Sequence, residues 1–569
     1  MLSAGQIVTH TRSLGPEGFL YGGKKLDNAL LTQVSAAVAE LANLPNVSRP
    51  SPEEIRADAE RFGIKTKYGN YNFVSSIKNR SAAVTVYVGG PGVAQTSLTQ
   101  KRREIIESLP ETLKLVHSYI KKAPFVRVES TMGDNDRFAP RCTLYVSTYR
   151  KEMVRLAHMV NQTLFPNPNY VGPEFNIVYI PEWQEKDRQI LVFPEIGVTY
   201  VLGSDYYGEA KKGFLRMGMW HAKQREMLGL HAGTKVIRAC GRDGKLRKLG
   251  MVIFGLTATG KTTHSCHNHD LNGEGEGVEI VQDDVVFWDK DGSALGTERG
   301  FYIKTEGLDP NIQPLLYNAA TAPDAILENV LVDYRGNVYF DDQTLTGNGR
   351  GIIQRTDLGD YMSKSINLPP VDELDGLIMA FIVRRNTVVP ICSKLTPEQA
   401  AAAFMLGESI ESSGSDPRRA GESVREVGTN PFIIGDESQE GNIFYNFVKR
   451  HSGKIECYML NTGGVGEVVA RDLDGTRHVK QRVTRVQIPE MASIIRGIAR
   501  GTIEWQEDPY WMVETPKAVE GVDMSRFELS RFYDTDQIEY LVGELRLDRA
   551  QYMERFTGLD PVIRKAAEM

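Results

Sequence analysis

The chain has 569 residues, of which 41% are hydrophobic and 25% charged, and its formal net charge is −6. This length predicts two or more domains with substantial cores, and the lack of a basic excess argues against nucleic acid as a partner. Five scattered cysteines without a CxxC pair, no apparent signal peptide and no apolar run long enough to cross a bilayer predict a cytoplasmic protein without a membrane partner.

The first 200 residues alternate between helical and strand-like stretches. Ser51 followed by Glu54 is typical of a helix N-cap with a capping box. Arg80 directly precedes one of the strands, where a single arginine is usually solvated or in a salt bridge. We predict helices over residues 22–44, over 98–122 with a bend or break near Pro110, and from 149 to about 163, and strands over 82–88, 142–148 and 196–202.

Residues 204–214, SDYYGEAKKGF, precede a methionine-rich helix and contain Tyr206 and Lys212. Taken alone, two adjacent lysines are typical of a solvated helix face. His231 follows in GLHAGTKV, and a lone histidine is more often structural than a metal ligand. We place a domain boundary near residue 230, which divides the chain into 1–230 and 231–569.

The most specific motif is GLTATGKT at residues 255–262, which matches the phosphate-binding pattern G-x-x-x-x-G-K-[ST]. Gly255 and Gly260 let the backbone N–H groups converge on a phosphate. Lys261 supplies a positive charge for the outer phosphates, and the Thr262 hydroxyl is a ligand for Mg²⁺. A strand-like apolar run precedes the loop, as this motif requires.

Two further groups of polar residues follow the loop. HSCHNHD at residues 264–270 has metal-ligand residue types, but in a helix Cys266 and His269 would diverge from the face of His264, so we do not predict a metal site there. The predicted strand over 279–288 carries Asp283 and Asp284 at its centre. Paired acids in an apolar strand are costly to bury without a positive partner, and the metal of a bound nucleotide would be that partner.

The remainder of the chain alternates strands, helices and glycine-rich loops. Lys304 lies in GFYIKT, and Arg350 in the glycine-rich TLTGNGRG, where a guanidinium can approach a ligand closely. Thr396 and Gln399 predict a second capping box. We also predict a hairpin through residues 335–337, strands over 377–383 and 455–461, the latter ending in NTGG, a flexible lid-like loop over 408–428, and a mostly helical part from 487.

Together these motifs resemble the ATP-dependent phosphoenolpyruvate carboxykinase family. GLTATGKTT is similar to its phosphate loop and VQDD to its acidic kinase motif, while DYYGEAKKG and GLHAGTKV are similar to its metal-binding segments. GFYIKT, SKLTPEQA and NTGG occur in the family's order. The resemblance implies a two-domain α/β fold with an N-terminal substrate domain and a C-terminal P-loop nucleotide domain on mixed sheets.

The resemblance also implies a reaction, oxaloacetate + ATP → phosphoenolpyruvate + CO₂ + ADP, with Mn²⁺ and Mg²⁺. Lys212, His231 and Asp284 would hold Mn²⁺, with Lys212 as a neutral amine. Arg80 and Tyr206 would bind the substrate carboxylate, and Arg350 would bridge substrate and γ-phosphate. The nucleotide and its Mg²⁺ would contact Gly255, Leu256, Thr257, Ala258, Thr259, Gly260, Lys261, Thr262, Thr263, Lys304 and Arg482.

Several segments depart from the family pattern. The usual GRSPKDKF is NRSAAVTVY here, DDEHGW is DDVVFW, NTRxxYP is NGRGIIQ, and the position of the adenine-contacting threonine is Ile488. The phosphate motifs are therefore retained while the substrate and adenine surroundings differ. One alternative is a kinase on the same scaffold that phosphorylates another small molecule or a protein. A non-catalytic nucleotide-binding protein is a third possibility, but it would not require Lys212, His231 and Asp284.

Overall fold

The structure is a computed structural model that describes residues 19–21, 24–26, 28–93, 98–183, 188–256, 259–410, 423–471 and 477–568. The chain forms a mixed α/β fold with several mixed sheets. No helix in these ranges is long and apolar enough to span a membrane. All five cysteines are free.

Twelve α-helices surround the sheets in the described ranges. Both predicted capping boxes are confirmed, at Ser51 and at Thr396. The helices are α1 Asn28–Leu41, α2 Pro52–Glu60, α3 Gln100–Ile120, α4 Val154–Thr163, α5 Gly208–Lys223, α6 Lys261–Cys266, α7 Pro314–Ala320, α8 Pro397–Leu406, α9 Glu437–Arg450, α10 Ile488–Arg500, α11 Thr535–Met553 and α12 Pro561–Ala566.

A seven-stranded mixed sheet occupies the N-terminal part of the chain. Its strands, in spatial order, are Val47–Ser48, Phe125–Thr131, Arg141–Ser147, Glu174–Ile180, Val198–Leu202, Gln189–Phe193 and Thr85–Tyr87. The sheet is buried on both faces, since Ile177 and Tyr179 belong to one core cluster and Val178 and Ile180 to another.

An eight-stranded mixed sheet occupies the C-terminal part. In spatial order its strands are Gly277–Gln282, Ala232–Cys240, Leu246–Gly255, Gly376–Val383, Ile455–Asn461, Cys392–Leu395, Glu514–Ala518 and Glu504–Glu507. The three strands that end at Gly255, Val383 and Asn461 are parallel neighbours. Their carboxyl ends therefore meet at one edge, where ligands bind in open α/β sheets.

Two smaller sheets connect distant parts of the sequence. A five-stranded sheet joins Gly300–Lys304, Arg350–Gln354 and Ile326–Glu328 to Tyr71–Phe73 and Ile64–Lys65. A three-stranded sheet consists of Leu228–Leu230, Val286–Trp288 and Ala294–Gly296. Residues on both sides of position 230 thus contribute to each of these sheets.

Five strand pairs complete the described strands. The predicted hairpin through residues 335–337 is confirmed as the second of them. The pairs are Phe19–Tyr21 with Lys24–Leu26, Leu331–Val332 with Val338–Tyr339, Glu408–Ile410 with Ser423–Arg425, Gly464–Val465 with Thr484–Arg485, and Val468–Arg471 with Arg477–Gln481.

Several predicted elements are wrong at their bounds. The first helix begins at Asn28, after a strand. Ala82–Val84 is a 3₁₀ turn, closed by the Val84 N–H that donates to the Ser81 carbonyl, and the strand begins only at Thr85. Helix α3 continues through Pro110, since its buried apolar face outweighs one lost backbone hydrogen bond. Of the predicted loop over 408–428, the two ends form paired strands and residues 411–422 lie outside the described ranges.

Candidate active site

His231 and Asp284 lie at two adjacent crossings between sheets. His231 separates Leu228–Leu230, in the three-stranded sheet, from Ala232–Cys240, in the eight-stranded sheet. The predicted strand over 279–288 is likewise interrupted at Asp283 and Asp284. Its two halves pair with the same two strands around His231, with Leu230 opposite Val286 and Thr234 opposite Gln282. This double crossing brings His231 Nε2 to 3.0 Å from Asp284 Oδ1.

The Asp284 carboxylate is the centre of the site. Its Oδ1 atom accepts from Lys261 Nζ at 2.8 Å and lies 3.0 Å from His231 Nε2. Its Oδ2 atom accepts from Lys211 Nζ at 2.7 Å and from Lys212 Nζ. Helix α5 therefore supplies two lysines and the phosphate loop one. Lys211 is 3% exposed and also pairs with Glu298 at 2.7 Å, so the expectation of a solvated helix face is wrong for it.

Burial sets the protonation states around Asp284. It lowers the pKa of Lys212 to about 7, helped by the charges of Lys211 and Lys261 and opposed by Asp284. Burial, with the charge of Lys261, lowers the pKa of His231 to about 4. Burial alone would raise the pKa of Asp284, but the three lysines hold it well below its usual range. Near neutral pH the site thus contains a carboxylate, a neutral imidazole and a readily deprotonated amine.

These three groups fit a divalent transition-metal ion. Metal ligands must be deprotonated, and Lys212, His231 and Asp284 reach that state near neutral pH. The Nδ1 atom of His231 lies 2.5 Å from the Thr429 carbonyl oxygen, which orients Nε2 towards Asp284. In the described part of the chain no three His, Cys, Asp or Glu residues are grouped as a metal site, so a metal here would depend on the lysine.

The phosphate loop follows the strand that ends at Gly255. Thr259 Oγ1 donates to the Leu256 carbonyl at 2.7 Å, and Gly260 has φ 103°, which favours glycine. Thr262 Oγ1 donates to Asp283 Oδ2 at 3.2 Å, and Thr263 Oγ1 donates to Gln313 Oε1 at 3.4 Å. Thr257 and Ala258 lie outside the described residues.

The neighbouring NTGG segment contacts the phosphate loop. Thr462 Oγ1 donates to the Thr259 carbonyl at 2.7 Å. Gly464–Val465 pairs with Thr484–Arg485, and exposed Arg482 precedes that strand. Arg482 thus lies two residues before a strand that pairs with the segment following Thr462.

Tyr206 and Arg350 are joined through one asparagine. Asn348 Oδ1 accepts from Arg350 Nη2 at 2.7 Å, and Asn348 Nδ2 lies 3.3 Å from Tyr206 Oη. Arg350 is the first residue of a strand rather than a loop residue as predicted. It lies opposite Lys304, whose amine pairs with Glu306.

Arg80 and Lys212 lie against the same aromatic ring. The Arg80 guanidinium carbon is 4.6 Å from the centre of the Phe432 ring and Lys212 Nζ is 4.7 Å from it. The His231 ring packs edge-on against it at 5.8 Å. Arg80 also lines a cavity of about 670 Å³ together with Lys78, Arg188 and their neighbours.

The sequence missed three residues of this site. The adjacent lysines predict solvent exposure for Lys211. Glu298 and Phe432 are not marked by the sequence, because neither lies in a motif with a recognisable spacing. The sequence carries no signal for Glu298, because its segment ALGTERG contains three polar residues and only the structure shows that Glu298 is buried.

Two other features lie apart from these residues. A cavity of about 760 Å³, bordered by Arg137, Glu279 and Lys364, contains none of the predicted site residues. In the HSCHNHD segment, the His267 carbonyl oxygen accepts from the buried Lys235 Nζ at 3.0 Å, and Lys235 Nζ also contacts His269 Nε2. His267 and His269 thus contact the same buried lysine, and Arg496 contacts the His269 carbonyl and Asp270.

The sequence is similar to known proteins of one family. A family model described as phosphoenolpyruvate carboxykinase matches residues 46–525. The chain is 30% identical over 523 residues to the phosphoenolpyruvate carboxykinase (ATP) of Aeropyrum pernix, which covers 91% of this chain and 96% of that protein. It is 29% identical over 338 residues to that of Rhodopseudomonas palustris, which covers 57% of this chain and 55% of that protein. It is 26% identical over 414 residues to that of Leptospira biflexa, which covers 67% of this chain and 71% of that protein. The resemblance inferred from the motifs is confirmed.

Proposed function

Because the chain belongs to the phosphoenolpyruvate carboxykinase family, we propose that it converts oxaloacetate and ATP to phosphoenolpyruvate, CO₂ and ADP. In this proposal residues 1–230 form the substrate domain and residues 231–569 the P-loop nucleotide domain. The reaction would take place where the two meet, around Asp284.

One observation carries the proposal. One buried carboxylate, Asp284, contacts Lys212 and His231 and also the phosphate-loop residue Lys261, whose amine shares the Oδ1 atom with His231. A protein that only bound a nucleotide would have no use for the first two groups. A carboxykinase needs both, because an enolate forms next to the phosphoryl group that it attacks.

Lys212, His231 and Asp284 would hold Mn²⁺, and Thr262 would contribute to the Mg²⁺ of the nucleotide. A divalent cation bound at the first set supplies a Lewis acid for the negative charge that develops on the substrate oxygen. The nitrogen ligands favour Mn²⁺ over Mg²⁺, which prefers oxygen ligands.

The other residues position the substrate and neutralise charge. Arg80 and Tyr206 would hold a substrate carboxylate, and Arg350, kept in place by Asn348, would reach both substrate and γ-phosphate. Lys261 and Lys304 would balance the charge of the transferring phosphoryl group. Positioning and charge neutralisation account for most of the catalysis in such transfers, so no dedicated general base is required. Phe432 packs against both Arg80 and Lys212.

Two steps follow from this arrangement. The C–C bond to the departing carboxylate breaks, its electron pair forms the enolate, and CO₂ leaves. The enolate oxygen then attacks the γ-phosphorus in line, and ADP is the leaving group.

The alternative is a kinase with another acceptor, which would retain the phosphate loop and Asp284 without needing Arg80. The two are separated by measuring ADP formation with Mn²⁺, Mg²⁺ and ATP in the presence and absence of oxaloacetate. The proposal expects ADP formation to depend on oxaloacetate and to be accompanied by phosphoenolpyruvate. ADP formation with another acceptor but not with oxaloacetate would overturn it.

A further inference from the structure

The buried Arg216 has no counter-ion within salt-bridge distance among the described residues. It lies on α5 and is 2% exposed, and its Nε and Nη1 atoms have no hydrogen-bond partner among the described residues. Within the same ranges no carboxylate lies within 4.0 Å of its nitrogens. Its guanidinium lies over the Tyr87 ring at 5.6 Å, a contact that does not balance a full charge. A buried unpaired guanidinium is costly unless a ligand supplies the missing anion.

Arg216 is close to the substrate side of the proposed site. It follows Lys212 by four residues and so lies on the same face of α5. Lys212 shares the Phe432 ring with Arg80, which likewise has no carboxylate within 4.0 Å in the described part of the chain. After burial, the charge of Arg216 is the next cause that lowers the pKa of Arg80, and the more distant charges of Glu209 and Glu426 oppose it. Ser81, the neighbour of Arg80, has a buried hydroxyl that also lacks a described partner.

We propose that Arg80 and Arg216 bind one carboxylate of the substrate between them. This inference rests on the proposed function for the identity of the substrate, and on the two unpaired guanidinium groups for the site itself. Each guanidinium presents a planar fork of donors that matches a carboxylate. An anion between them would turn a repulsion into two charge-assisted contacts.

The chemistry indicates which carboxylate it is. The departing carboxylate of oxaloacetate gives up its charge as CO₂ forms, so two cations upon it would stabilise the ground state and slow the reaction. The other carboxylate keeps its charge from oxaloacetate through to phosphoenolpyruvate. The pair therefore holds the retained carboxylate, and its loss should weaken oxaloacetate and phosphoenolpyruvate alike.

Oxalate is the probe for the site, because it is a small dicarboxylate that binds without turnover. Its affinity for the full-length protein with Mn²⁺ is measured by calorimetry for the wild type, Arg216→Gln and Arg225→Gln. Arg225 is the matched control, since it follows the same helix and packs over Phe138 at 5.0 Å but is exposed. We expect Arg216→Gln to lose about tenfold to hundredfold in oxalate affinity and Arg225→Gln to match the wild type.

Arg216→Met separates binding from folding. Removing an uncompensated buried charge should leave the unfolding temperature in oxalate-free buffer unchanged or higher, and oxalate should raise it less than in the wild type. The proposal would be overturned if Arg216→Gln or Arg216→Met had a lower unfolding temperature but bound oxalate as tightly as the wild type. Arg216 would then be a packing residue. Absence of oxalate binding to the wild type would also overturn it.

Kinetics distinguish this proposal from the proposed function. In Arg216→Gln the KM values for oxaloacetate and phosphoenolpyruvate should rise together by about tenfold or more, with the KM for ATP unchanged. A rise in the KM for ATP alone would overturn the assignment. If the wild type forms no phosphoenolpyruvate, the proposed function fails, but the oxalate measurement still decides the role of Arg216.

Discussion

His231 Nε2 lies 3.0 Å from Asp284 Oδ1, at the place where two neighbouring strands both leave one sheet for another. A continuous ladder from Leu230–Val286 to Thr234–Gln282 would pair Ala232 with Asp284. The His231 and Asp284 side chains would then lie on opposite faces of the sheet. The interruption instead brings the His231 imidazole and the Asp284 carboxylate together, next to Lys212.

The first prediction concerns this pair. His231→Asn should reduce the affinity for Mn²⁺ by about tenfold or more, because a neutral nitrogen ligand is lost. Mn²⁺ binding is measured by electron paramagnetic resonance, with His451→Asn as a control, since the one described hydrogen bond of the His451 side chain is to the Lys290 carbonyl. Activity should also be higher with Mn²⁺ than with Mg²⁺ alone. Unchanged Mn²⁺ affinity in His231→Asn would contradict the metal assignment.

Lys261→Met should lower phosphoryl transfer by about a thousandfold or more, since the phosphate loop loses its only described charge at the phosphate position. The fold should persist, because Asp284 keeps its contacts with Lys211 and Lys212. Turnover and the denaturation midpoint are compared with those of Lys245→Met. Lys245 is an exposed lysine directly before Leu246–Gly255, the strand that leads into the phosphate loop. Near-normal turnover in a folded Lys261→Met would refute the role of the loop.

Arg80→Gln should raise the barrier for oxaloacetate by about 2–4 kcal/mol, or roughly 30- to 1000-fold in kcat/KM, through loss of a charge-assisted contact. ATP affinity should not change, because the nucleotide lies on the Lys261 side. Arg188→Gln, an exposed arginine of the same cavity, controls for the general positive charge. If both substitutions lowered kcat/KM equally, Arg80 would act only through the general positive charge of the cavity and not through a contact with the substrate.

Lys235 should make stability depend on pH. Burial lowers its pKa from 10.5 to about 7. Between these values the unfolded chain binds more protons than the native state, so the free energy of unfolding rises with pH across this window. Below pH 7 the contribution of Lys235 to that free energy is constant. At about 1.4 kcal/mol per pH unit the full gain is about 5 kcal/mol.

The measurement compares the unfolding free energy of the wild type and Lys235→Met at pH 7, 8.5 and 10. The difference should shift in favour of the wild type as the pH rises. Lys245→Met should show no such shift. Parallel curves for the wild type and Lys235→Met would contradict a lowered pKa.

Local patterns in the sequence predicted the elements that depend on local chemistry. The capping boxes at Ser51 and Thr396, the apolar strand Gly376–Val383 and the phosphate loop all follow from spacing within a few residues. The alternating residues of Gly376–Val383 pack into two different cores, which is why no polar residue interrupts it.

Features that depend on distant contacts were missed. The break at Asp283 and Asp284 arises because each half of the segment pairs with a different sheet, which no local window contains. Lys211 is buried by Asp284 and Glu298, and Phe432 reaches Arg80 and Lys212 from far along the chain. The boundary at residue 230 remains a prediction, as do the roles of the site residues.

The central claim is tested most directly by the stoichiometry of a single reaction. The wild type is incubated with oxaloacetate, ATP, Mn²⁺ and Mg²⁺, and phosphoenolpyruvate, CO₂ and ADP are measured together, with Lys212→Gln beside it. We expect the three products in equal amounts from the wild type, above the spontaneous loss of CO₂ from oxaloacetate, and none above that background from Lys212→Gln. ADP without matching phosphoenolpyruvate, or equal rates in both proteins, would contradict the account.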